Sequence, residues 1–137
     1  MSRRKISCSS VLWMLSLLFA WALTWYFCRP VVVLHYSTSG ESSIGYYYIT
    51  KTYISKSALE PGESTRYATD WRQEADYWTM ITFPAESNDS VEIEVPFSRV
   101  DVCIAPGAKV EWTEIRHGFF DRFTEPSEPC EPPTAKR

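Results

Sequence analysis

The side chains able to do chemistry are few and widely spaced. The chain has two histidines, His35 and His117, and four cysteines. Cys103 and His117 would form a nucleophile–base pair only if a third group oriented the histidine, and no such group is evident. No sharp nucleophile turn of the Gly-x-Ser-x-Gly type occurs either. A copper centre would draw on His35, Cys103 and His117, with a methionine after the second histidine. The last methionine is Met80, so that ligand is missing. Paired metal-ligand motifs, acidic calcium loops and glycine-rich phosphate loops are absent from the sequence. Asp70, Glu74 and Asp76 crowd around Trp71, Tyr77 and Trp78. Carboxylates beside aromatic rings suit sugar contact or glycoside chemistry, but they equally describe a solvated loop with aromatic anchors. No catalytic residue, metal ligand or cofactor is therefore expected.

Such side chains need a scaffold, and the chain divides sharply. Residues 11–28 form an uncharged apolar run bounded by Arg29-Pro30. At about 1.5 Å per residue it reaches roughly 27 Å, near the hydrocarbon thickness of a bilayer. Arg3, Arg4 and Lys5 precede it, whereas after Arg29 the next basic residue is Lys51. This asymmetry predicts a cytoplasmic segment over 1–10, a transmembrane signal-anchor over 11–28, and everything later outside the cytoplasm (in the periplasm if the cell is bacterial). Ala20-Trp21-Ala22 also fits a signal-peptidase site, but apolar residues continue through Phe27 and a cleaved start would expose them.

From Val31 onward the 17 acidic residues face ten of the 14 basic ones, so the outer part carries about −7. That sign repels polyanions and excludes nucleic acid as a partner. Cys103 and Cys130 are expected to pair in an oxidising compartment and tie a proline-rich tail, 125–137, to the fold.

Between these ends the pattern is of strands. Runs at 31–37, 46–54, 64–69, 77–83, 91–95, 99–104 and 109–115 are apolar, β-branched or aromatic. Pro61-Gly62 and Pro106-Gly107 mark tight turns. Val91, Ile93 and Val95 alternate with Glu92 and Glu94. Val100, Val102 and Ile104 alternate with Asp101 and Cys103. A bulge near Thr113 is needed to bring Ile115 into phase with Val110 and Trp112. Phe119, Phe120 and Phe123 are expected to cap the open end of the domain, with a contact patch as the alternative.

About seven short strands between frequent turns predict an all-β domain over 31–124, a small two-sheet β-sandwich behind one N-terminal transmembrane helix; an internal barrel is the alternative. The pattern resembles an immunoglobulin-like domain in architecture only. With no chemistry evident, the expectation is a membrane-anchored, non-catalytic protein-binding module. An accessory subunit of an envelope complex and an immunity-type protein neutralising a toxin both fit. Its partner would be another protein in the membrane or envelope, held by Tyr46, Tyr48, Trp71 and Trp78. Metal or redox chemistry and carbohydrate contact are the alternative classes.

Overall fold

The computed structural model describes residues 8–127 and 130. The basic residues expected to lie in the cytoplasm, and the tail at 128, 129 and 131–137, fall outside the described residues.

Helix α1 spans Cys8–Phe27, 20 residues or about 30 Å. It is exposed along its length, and Ser9–Phe27 is long and apolar enough to cross a membrane. Its hydroxyls are turned back on the helix: Ser16 donates to the Trp13 carbonyl at 2.9 Å and Thr24 to the Ala20 carbonyl at 2.8 Å. Only three residues separate its end from the first strand.

Eight strands follow: β1 (Val31–Tyr36), β2 (Ile44–Thr50), β3 (Ile54–Leu59), β4 (Ser64–Ala68), β5 (Trp78–Thr82), β6 (Ser90–Glu94), β7 (Arg99–Ala105) and β8 (Lys109–Arg116). They form two four-stranded sheets in the orders β4-β1-β7-β8 and β3-β2-β5-β6. The two-sheet sandwich behind an apolar helix is thus the architecture. β1 pairs antiparallel with β4 but parallel with β7. Successive strands run alternately away from and toward α1. One end of the sandwich therefore surrounds the helix exit and the other lies far from it.

The eighth strand arises because the run at 46–54 is not one strand. The chain reverses at Lys51-Thr52, and β3 pairs back on β2 with Tyr46 opposite Ser57 and Ile49 opposite Ile54. No Gly, Pro or Asn marks this turn. The Thr50 hydroxyl marks it instead, accepting from the Thr52 and Tyr53 amides at 3.3 and 3.1 Å. The proline turns behave as expected. Gly62 and Gly107 hold φ of 79° and 77°, a region that side chains with a Cβ seldom enter.

Alternation sorts the core. Val32, Leu34 and Tyr36 meet Val100, Val102 and Ile104 on the inner face of one sheet, against Tyr46, Tyr48, Ile81, Phe83 and Ile93 of the other. Tyr46 and Tyr48 are fully buried, which overturns their expected role as surface anchors. Strand β2 is flanked by β3 and β5, and its even-numbered side chains point at the opposite sheet. There the Tyr48 ring stacks on Tyr67 at 4.0 Å, and the Tyr46 and Tyr67 hydroxyls share a 2.6 Å hydrogen bond. Burial pushes the Tyr48 and Tyr67 hydroxyls well above the ordinary tyrosine range.

The bulge falls elsewhere than expected. Ile104 pairs with Val110 but Cys103 pairs with Trp112, so the extra residue is Glu111. Trp112 consequently sits on the outer face beside Cys103, while Thr113 and Ile115 lie opposite Val102 and Val100.

Cys103 and Cys130 stand at disulfide-bonding distance, with Cα atoms 5.4 Å apart and a sequence separation of 27. Closing that loop stabilises the fold by about 3.5 kcal/mol in the chain-entropy treatment. Non-reducing peptide mapping is expected to recover the 103 and 130 peptides linked, and reduction should lower the urea midpoint accordingly. Phe83→Ala removes a fully buried ring packed 6.3 Å from Tyr46. It should cost about 3–5 kcal/mol in the same unfolding assay.

Candidate functional sites at the helix exit and on the outer sheet face

Two places gather polar or aromatic groups that the hydrophobic core does not use. The first lies where α1 meets the sandwich. Pro30 is clamped by Thr69, whose amide and hydroxyl reach its carbonyl at 2.8 and 3.0 Å. The Cys28 carbonyl accepts from the Arg122 guanidinium. Arg122 is buried, donates through Nε to the Phe119 carbonyl at 2.8 Å, and lies 4.4 Å over the Phe119 ring. It comes from a short 3-10 helix, Phe120–Phe123. A cation placed there also favours the negative end of the α1 dipole.

On the β4 edge of this junction, the loop between β4 and β5 brings Trp71 to 5.6 Å from Trp25. The Arg29 guanidinium covers Trp25 at 5.1 Å. An open apolar groove of about 340 Å³ is lined by Trp21, Thr24, Trp25, Cys28 and Trp71. Beside it, Asp70, Glu74, Lys51, Trp71 and Tyr77 line a second open cleft of about 320 Å³. Of the carboxylates gathered here, Asp76 is engaged in an ion pair. Lys51 is hydrogen-bonded to Asp76 and lies 3.8 Å from Glu74. Its hydrogen bond and charge hold the Asp76 carboxyl below the usual range, whereas a glycosidase acid needs one held above it. Of the four expected anchor aromatics, only Trp71 is prominently exposed, at 57%. Trp78 is half-buried on the outer face of the other sheet and does not line either cleft.

The second place is the outer face of the β1 sheet. His35 on β1 lies between Ser64 on β4 and Asp101 on β7: Nδ1 is 2.9 Å from the Ser64 hydroxyl and Nε2 is 2.8 Å from Asp101 Oδ1. Asp101 is wholly buried and also accepts both Arg99 Nε and Nη2, at 2.7 and 2.8 Å. Burial pushes its carboxyl up, but the His35 and Arg99 hydrogen bonds and the Arg99 charge outweigh that and hold it below the ordinary range.

Serine, histidine and aspartate thus stand in hydrogen-bonded order, an arrangement that sequence spacing did not reveal. Strand pairing alone assembles it: Ser64 faces His35 across β4 and β1, and Asp101 sits one alternation back on β7. Its chemistry differs from a hydrolase relay. The ring nitrogens are used in the opposite sense, with aspartate on Nε2. Asp101 is neutralised by a two-pronged arginine. Ser64 lies at the start of a flat edge strand, not on the sharp turn that lifts a hydrolase nucleophile.

Of the three side chains that a copper centre would draw on, His35 and Cys103 are cross-strand neighbours, but the other contacts of Cys103 and His117 are not those of a metal site. Cys103 stands at bonding distance from Cys130, and His117 Nδ1 donates to the Pro96 carbonyl at 2.8 Å. Among the described residues no three metal-ligating side chains cluster.

Asp101→Asn would leave the nearly buried Arg99 without its counter-charge, at a cost of about 3 kcal/mol. Because the folded Asp101 ionises below its unfolded value, its stabilisation is complete above pH of about 3.9 and fades as pH falls through the lowered folded value. Acid titration by circular dichroism should show that fading component in the parent chain and not in Asp101→Asn.

Compared with known protein families, curated proteins and solved structures, the chain has no match.

Proposed function

We propose that this chain is a non-catalytic binding module mounted on a membrane. Helix α1 is a retained anchor, the N-terminus is cytoplasmic, and the sandwich stands outside the cytoplasm. Its partner is another protein of the same membrane or envelope. The observation that carries this is the groove between Trp21, Thr24, Trp25, Cys28 and Trp71. One wall belongs to the apolar helix and the other to the folded domain. Such a groove suits a neighbour that also leaves the bilayer at this level and offers both a transmembrane segment and a juxtamembrane loop. Exposed tryptophans in an apolar concavity are favoured anchors for recognition.

Retention of α1 is supported by its contacts. Removal at Ala22 would leave Leu23, Trp25 and Phe27 at a free terminus in water, and Trp25 is packed on Trp71. Orientation is supported by Arg3, Arg4 and Lys5 before the helix and by the lack of Lys or Arg between Arg29 and Lys51 after it. The absence of catalysis is supported by the charge balance of the His35 cluster.

Three measurements test the proposal. Protease added to spheroplasts should degrade the sandwich; protection of the sandwich with loss of the N-terminus would invert the topology. A photo-reactive residue in place of Trp71 should cross-link a discrete membrane protein in native membranes, and Trp25→Ala should abolish the adduct. Lipid adducts alone would refute protein docking at this groove. A fluorophosphonate probe should leave Ser64 unlabelled, whereas labelling would make the protein a hydrolase.

A further inference from the structure

Every large hydrophobic residue of the sandwich and its following turn that is exposed, among the described residues, lies at the end facing α1. These are Tyr53, Ile54, Trp71, Ile115, Phe119, Phe120 and Phe123. The first two flank the β2–β3 turn and Trp71 is in the β4–β5 loop. Ile115 ends β8, and the three phenylalanines follow it. The opposite end offers Glu41, Glu60, Glu63, Glu86 and Asp89 in its turns. A soluble domain scatters its few exposed apolar residues, whereas a set gathered on one end marks a contact surface.

The geometry points to lipid as the occupant of the β8 side of this surface. Phe119, Phe120 and Phe123 form a footing that rests in the interface of the bilayer that α1 crosses. They are 50%, 75% and 53% exposed, and Phe119 meets the other two edge-on at 5.3 and 6.5 Å. Arg122, between them in sequence, turns the other way and donates to the Cys28 carbonyl. The cluster is therefore pinned within one residue of the end of α1, the level at which a helix of about 30 Å leaves the hydrocarbon. Tyr26 and Phe27, in the last turn of α1, are exposed at that same level.

Aromatic rings with polar backbone beside them favour this depth, and each ring shielded there stabilises the seating of the domain. The buried guanidinium keeps its charge off the lipid side. Strands β4 and β8 are opposite edges of their sheet, so this footing and the Trp71 groove flank the helix on different sides.

This inference rests on α1 being a retained membrane helix, and the experiment separates the two. Full-length chains carrying p-benzoylphenylalanine in place of Leu15, Ser39 or Phe120 are reconstituted into vesicles of phosphatidylcholine and phosphatidylglycerol and irradiated. Lipid adducts are expected at positions 15 and 120 and none at 39. An adduct at 15 without one at 120 overturns the footing and leaves the anchor standing. No adduct at 15 removes the anchor, and the footing with it. An adduct at 39 as well would mean that the domain lies on its side, which also overturns the footing. The same probe in place of Phe123 gives a second lipid readout should the position 120 variant lose its Cys103–Cys130 linkage. In native membranes, a protein adduct at 120 in place of lipid would reassign this face to a partner chain.

Discussion

Two carbonyl groups at the helix exit constrain much of this molecule. The three residues that lead from α1 into β1 belong to neither element, so their carbonyl oxygens need donors from elsewhere in the fold. Here the Cys28 oxygen is met by Arg122, 94 residues later, and the Pro30 oxygen by Thr69, 39 residues later. Those bonds fasten the end of β4 and the turn beyond β8 around the start of β1. The domain is consequently fixed to the helix, not suspended from it by a flexible linker. The Trp71 groove and the phenylalanine cluster both inherit their positions from this fastening.

The up-and-down course of the strands converts that local fastening into a polarity of the whole sandwich. Turns after even-numbered strands lie beside α1 and turns after odd-numbered strands at the other end, so a residue's end is set by which turn it occupies. Among the described residues, the exposed large hydrophobic side chains of the sandwich gather at the end beside α1, whereas exposed carboxylates occupy both ends, Asp70, Glu74 and Asp76 beside the helix and Glu41, Glu60, Glu63 and Glu86 away from it.

Much of the fold was legible because its signals are local. The apolar helix, the alternation in β6 and β7 and the Pro-Gly turns each lie within a few residues. What was hidden depends on partners distant in sequence. The aromatic run at 46–54 is apolar on both faces, so nothing local told which face met the other sheet. Tyr46 and Tyr48 read from sequence as surface anchors, but Tyr67 stacks on Tyr48 and meets Tyr46 edge-on inside the sandwich. The β2–β3 reversal relies on a threonine hydroxyl, a weaker and commoner signal than proline or glycine. The bulge was anticipated, but hydrophobic phase alone cannot say which of several residues is extruded. Trp71 was legible as an exposed aromatic, but its stacking on Trp25 required the helix and the domain to be placed together.

The His35 cluster shows why even an outer sheet face in this domain is closed. A buried carboxylate is tolerable only when its lone pairs are taken, and Asp101 meets that condition by accepting from two strands at once. Beside this cluster, Arg116 donates to the Glu125 carbonyl at 2.8 Å, and the Ser127 hydroxyl to Glu114 at 2.7 Å. The Cys130 sulfur lies 3.2 Å from the His35 carbonyl oxygen and at bonding distance from Cys103, the cross-strand neighbour of His35. The hydrogen-bonded order of Ser64, His35 and Asp101 follows from the register of three adjacent strands.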